Sequence, residues 1–157
     1  MSAEPQPRRI VVGLSGASGA VYGLRALEAL SELGVETHLV ASRAAALTLT
    51  QETGLTLADL SARASVTHRA ADVGATIASG SFRTMGMLIA PCSVRTMTAL
   101  AEMGAVIAPP LPAFYAGPQT VEDIIDQSVG RALDVFGLDW ERTRRWRGLA
   151  LAGADET

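Results

Sequence analysis

RIVVGLSGASGAVYGLRALEAL, residues 9–30, joins a β-branched run to a helical repeat through a turn crowded with small residues. Arg9 to Leu14 is short and apolar on both faces, as a strand buried in a parallel sheet must be. From Ala20 to Leu33 the apolar positions, Leu24, Leu27 and Leu30 among them, fall at helical spacing, with Gly34 placed as a C-cap. Between them, Gly16 and Gly19 are expected to take positive φ and let a ligand approach the backbone closely. Amides opening the following helix would then point at an anion, helped by the helix dipole, and Ser15 and Ser18 add hydroxyls. The spacing is not G-x-G-x-x-G, no Lys-Ser/Thr pair follows as in a P-loop, and G-x-S-x-G is absent. A tight strand-to-helix turn without a ligand is the competing reading.

Outward from this unit the alternation continues. Val35 to Ala41 reads as a strand, and Ser42 can cap a helix running to about Thr53. Residues 54–74 are weakly patterned, with a short helix near Leu57 to Ala62, and Ile77 is assigned to a short edge strand. Met85 to Ala90 reads as a buried strand, Ser93 to Met103 as a helix, Gly104 to Ala108 as a further strand and Pro109 to Pro118 as a rigid loop. Thr120 caps a helix with Glu122 and Asp123 in its first turn, ending near Phe136. The segment with Trp140 and Trp146 is expected to pack as a short helix on the body or on a neighbour. Strands alternating with helices predict an α/β fold with a mostly parallel sheet, helices on both faces and right-handed crossovers. The expectation is one domain over 1–157, with 1–8 and 148–157 as flexible tails.

Composition narrows the function. The chain has 157 residues, 48% apolar and 18% charged, which suits a globular domain with a proper core. A formal charge of −3 gives no basic field for nucleic acid. No run approaches the ~18 apolar residues of a membrane span. Arg8-Arg9 before Ile10 to Leu14 is too short an apolar stretch for a secretion signal. The single Cys92 fits a reducing, cytoplasmic setting.

Open parallel sheets bind ligands beyond the carboxyl ends of their strands. That points to three segments: Ser15 to Gly19, Ala41 to Arg43, and Pro91 to Thr96. Pro91-Cys92-Ser93 repeats the small, hydroxyl-bearing helix start, and two such turns at one sheet edge favour a phosphate-bearing cofactor. Cys92 is read as a small buried thiol rather than a nucleophile, since no local pattern ties His38 or His68 to it. No metal-ligand spacing occurs. Glu52 ends a helix at its negative pole, where a site role or a solvated surface would explain it. Arg131 lies at the margin of an apolar arc, either snorkelling from the core edge or gripping a phosphate.

GASGAVYGLRALEAL (16–30), SGSFRTMGMLIAPCSVRT (79–96) and EMGAVIAPPLPAFYAGPQTVEDIIDQSVGRALDVFGLD (102–139) closely resemble the UbiX-type flavin prenyltransferases. The resemblance implies a Rossmann-like, three-layer flavin-binding domain. It also implies transfer of a dimethylallyl group from dimethylallyl phosphate to reduced FMN, making the prenylated FMN used by UbiD-type decarboxylases. That family needs no metal and assembles as homododecamers with sites at subunit contacts. Residue by residue, Gly16, Ala17 and Ser18 match the first FMN-binding turn, Ser42 the second-strand serine, and Ser93, Val94, Arg95 and Thr96 the FMN-binding turn after Cys92. Tyr115 and Arg131 match the pair holding dimethylallyl phosphate. Glu52 matches a site glutamate that, with Ser18, handles a proton near the flavin. The alternatives are a non-catalytic FMN-binding or assembly subunit, and a flavin-dependent cysteine decarboxylase, whose PxMNxxMW signature is absent.

One departure stands out. In the family a βα-sized segment of roughly thirty or more residues follows the first turn of the helix after Cys92. It supplies a strand, Arg and Lys side chains for phosphate, and an acid for phosphate departure. Here SVRT (93–96) runs straight into MTALAEMG (97–104). Either the protein lacks this unit or the sequence omits residues that belong there; the second is favoured.

Overall fold

The structure, a computed structural model, describes residues 7–145. Four strands form a wholly parallel sheet: β1 (Arg9–Leu14), β2 (Glu36–Ala41), β3 (Val66–Arg69) and β4 (Met87–Ile89), in the order β3-β2-β1-β4. Its helices are α1 (Ala20–Glu32), α2 (Arg43–Thr53), α3 (Leu57–Ser61), α4 (Val94–Ala101) and α5 (Val121–Asp134). The class is α/β and Rossmann-like, as the alternation predicts. Trp146 and most of the expected tails lie outside the described residues. Arg8, within the expected tail, already accepts a hydrogen bond from the Glu36 amide.

Strand register decides which side chains meet the helices. Val12 lies beside Leu39 and Ile10 beside Thr37, so these side chains and Leu14 share one face. That face packs against Leu27 and Leu30 of α1, Leu49 of α2, Leu60 of α3, and Val129 and Leu133 of α5. Each such aliphatic side chain contributes about 1.5–3 kcal/mol on burial. A bidentate pair fastens α1 to α5: Arg25 Nε and Nη2 donate to Asp126 Oδ1 and Oδ2 at 2.5 and 2.9 Å. The opposite face carries Val11, Gly13, His38 and Val40, with Phe82 packed edge-on against His38. Val11 and His38 are buried on this face, whereas α4 buries none of its side chains.

Two sequence expectations are corrected. Ile77 sits in a 3-10 turn, Thr76–Ala78, and the edge strand is β3, in the stretch read as weakly patterned. VTHR is short and mostly exposed, so it has no apolar alternation to read; β2's free hydrogen-bonding edge makes it a strand. Residues 104–108 are not a strand: they run as exposed open backbone, continuing to Pro112. A strand needs a partner edge, and β4 offers only three residues, joined to β1 alone.

Candidate flavin site

Three loops converge at the carboxyl ends of β1, β2 and β4, and one side chain stitches two of them together. Ser15 follows β1; its hydroxyl donates to the Pro91 carbonyl at 3.0 Å and accepts from the Ser93 amide at 2.6 Å. Its own amide donates to Pro91 O as well. The two hydroxyl-rich turns are therefore one structural unit, although 78 residues separate Ser15 from Ser93. The third loop is locked to the same edge, because the Ser42 amide donates to the Leu14 carbonyl at 3.0 Å.

Each hydroxyl has a local task. Ser42 caps α2 by accepting from the Ala45 amide, and Ser93 caps α4 by accepting from the Thr96 amide. Ser93 and Thr96 hydroxyls lie 2.9 Å apart. A capping hydroxyl accepts through a lone pair, so its own proton stays available to a ligand oxygen. The Val94 and Arg95 amides open α4 and have no intrahelical acceptor. Val94 and Arg95 are both exposed.

The first turn departs from expectation in two respects. Gly19 is left-handed, with φ at 98°, but Gly16 is absent from the positive-φ glycines. Gly16 is small for another reason: a Cβ there would stand 2.3 Å from the Ala44 Cβ. The amides opening α1 are also not free for an anion. Glu52 takes them, with Oε2 accepting from Gly19 at 3.0 Å and from Ala20 at 2.8 Å. A carboxylate at the end of α2 thus serves as the N-terminal counter-charge of α1. Ser18 adjoins this pair, so Glu52 and the Gly16–Ser18 turn are brought together. Sequence reasoning passed over Ser15 as a positioning residue, because a contact across 78 positions leaves no local pattern.

Tyr115 and Arg131 lie on other elements. Tyr115 lies in the 3-10 turn Phe114–Ala116 and is 52% exposed; Arg131 is exposed in the last turn of α5. The Tyr115 turn is tethered to α5 instead. Arg144 Nη1 donates to Ala116 O at 2.7 Å, and the Arg144 backbone pairs twice with Gln127. Cys92 is half-buried and burial pushes its thiol pKa up, which fits an inert thiol. Among the described residues no cluster of His, Cys, Asp and Glu could hold a metal, and no helix is long and apolar enough to cross a membrane.

Comparison with known proteins identifies the family. The Flavoprotein family model matches residues 1–105. A probable UbiX-like flavin prenyltransferase of a Streptomyces species is 44% identical, covering 93% of this chain and 95% of the relative. Flavin prenyltransferase UbiX of Thauera aromatica is also 44% identical, covering 89% and 94%. The crystal structure of AnUbiX (PadA1) in complex with FMN and dimethylallyl pyrophosphate superposes with a TM-score of 0.83 at 36% identity, covering 92% of this chain and all of that one. A dodecameric FMN-dependent UbiX-like decarboxylase from Escherichia coli gives 0.79 at 37% identity, covering 89% and 100%. The Streptomyces alignment runs over 190 positions, 33 more than the 157 residues here, so at least 33 of its positions have no residue in this chain.

Proposed function

The chain belongs to the flavoprotein family and, within it, to the UbiX-type flavin prenyltransferases, and from that premise we propose how its own residues serve the reaction. The enzyme transfers a dimethylallyl group to reduced FMN, whose electron-rich ring system accepts it. The observation that carries the reading is the Ser15 bridge, which fixes the turns after β1 and β4 side by side.

The donor set fits a flavin phosphate. Ser93, Thr96 and the Val94 and Arg95 amides offer hydroxyl and helix-start donors, and Ser42 and the Gly16–Ala17–Ser18 turn flank them. With its α1 amides occupied by Glu52, the first turn binds through Ser18 and its small backbone. We assign the phosphate to the α4 end and the ring-bearing portion to the Ser18 side. Ser18 Oγ and the Glu52 carboxylate hold a proton there. Tyr115 and Arg131 grip the phosphate of dimethylallyl phosphate. Both are exposed on the α5 side, which supports a site closed by another copy in a homo-oligomer, a dodecamer by analogy. We read residues 1–157 as a single cytoplasmic domain that hands prenylated FMN to a UbiD-type decarboxylase.

The internal gap favours one variation. No residue here matches the family's acid for phosphate departure, so a polypeptide confined to these residues acts as an FMN-binding subunit. Purified protein soaked with FMN is expected to show flavin absorption bands after desalting, and Ser93→Ala to weaken retention about ten-fold. Protein that retains no flavin contradicts the assignment.

A further inference from the structure

At the opposite end of β1 from the flavin turns, about 17 Å away for a six-residue strand, a cleft is lined by Arg9, Arg83, Thr76, Ser79, Ser81 and Phe82. We propose that this cleft binds a phosphate-class oxyanion.

Its lining carries two guanidinium groups and three hydroxyls, with no carboxylate to neutralise them. Arg9 Nε is buried without any hydrogen-bond partner, and a buried donor left unmade is costly unless a ligand completes it. The groups are held in place before any ligand arrives. The Arg9 guanidinium lies over the Phe82 ring, 5.0 Å from its centroid, and Phe82 is itself packed on His38. The loop bearing Arg83 is pinned to β1: the Met85 amide and the Thr84 hydroxyl both donate to the Arg9 carbonyl, at 2.9 Å each. Ser79 and Ser81 hydroxyls lie 2.7 Å apart. One proton is spent within that pair and the other remains for an acceptor. Planar, forked guanidinium donors joined by hydroxyls suit a tetrahedral oxyanion with several acceptor oxygens.

The test is calorimetric titration of inorganic phosphate into flavin-saturated full-length chain at constant ionic strength, with chloride as the balancing salt. Saturable binding is expected, weakened about ten-fold or more by Arg83→Gln and partly restored by Arg83→Lys, with FMN affinity unchanged. Arg83 is exposed, so its replacement leaves the fold intact even if Arg9→Gln does not. Absence of saturable binding to the wild-type chain would overturn the proposal. So would binding that survives Arg83→Gln but is lost in Arg131→Ala, which would place the phosphate with Tyr115 and Arg131 instead.

Discussion

Glu52 stands at the end of α2, where a carboxylate faces the negative pole of its own helix. Its position makes sense through a different helix, since both its oxygens accept from the first amides of α1. Glu52→Ala leaves those amides to water and is expected to cost about 1–2 kcal/mol in urea unfolding. Glu52→Gln, keeping one acceptor oxygen, should lose about half of that while still abolishing proton handling near Ser18. Equal stability for wild type and Glu52→Ala would mean the capping contact is immaterial. Arg131 and Tyr115 lead to a second expectation. In the proposed role, Arg131→Ala removes a charge-assisted phosphate contact worth about 1.5–3 kcal/mol, or roughly ten- to a hundred-fold. It should appear as raised KM for dimethylallyl phosphate with FMN affinity intact, and Tyr115→Phe should act in the same direction more weakly. Arg131→Ala that unfolds the chain, with no separate effect on substrate, would restore the core-edge reading.

At the scale of elements, the hydroxyl turns act as a pair because Ser15 holds both. Ser15→Ala strands the Ser93 amide and leaves Pro91 O with the residue-15 amide alone, at about 1–3 kcal/mol. FMN affinity should fall with stability, although Ser15 need not touch the ligand; unchanged FMN affinity in Ser15→Ala would show that the turns are positioned some other way. What the sequence discloses about these elements follows from how locally each is determined. β1 and α1 were legible because burial writes itself as apolar runs and helical spacing. β3 was not, because VTHR owes its strand state to a hydrogen-bonding edge supplied by β2. The GAVIA stretch at 104–108 has a strand's composition, yet no edge receives it. In the site, the hydroxyl-rich turns were legible as motifs, whereas the Ser15 bridge and the Glu52 cap depend on contacts 78 and 33 residues long. The close approach of Ala44 to Gly16 is equally hidden, because it too joins segments far apart in the chain.

The whole molecule has one sheet face sealed by helices, and exposed apolar residues around β4 and beyond α4. Ile10, Val12, Leu14 and Leu39 are sealed by helices, while Met87 is 51% exposed, and Val106, Ile107 and Leu111 are 72%, 53% and 63% exposed beyond α4. The alignment with the Streptomyces relative has at least 33 positions with no residue in this chain, and we place them after Thr96, as the family resemblance implies. On this proposal an absent segment there leaves β4 at an edge, 104–108 unpaired and α4 with nothing buried. Such a segment bears on the chemistry as well, because preorganised cations and an acid at the departing phosphate are usually the largest catalytic contribution. The decisive measurement is made on the intact protein expressed from its own gene: its denatured mass, followed by a single-turnover assay with reduced FMN and dimethylallyl phosphate. The prediction is prenylated FMN from a protein several kilodaltons heavier than 16.3 kDa. Full turnover from a 16.3 kDa chain, or none from a heavier one, would contradict it.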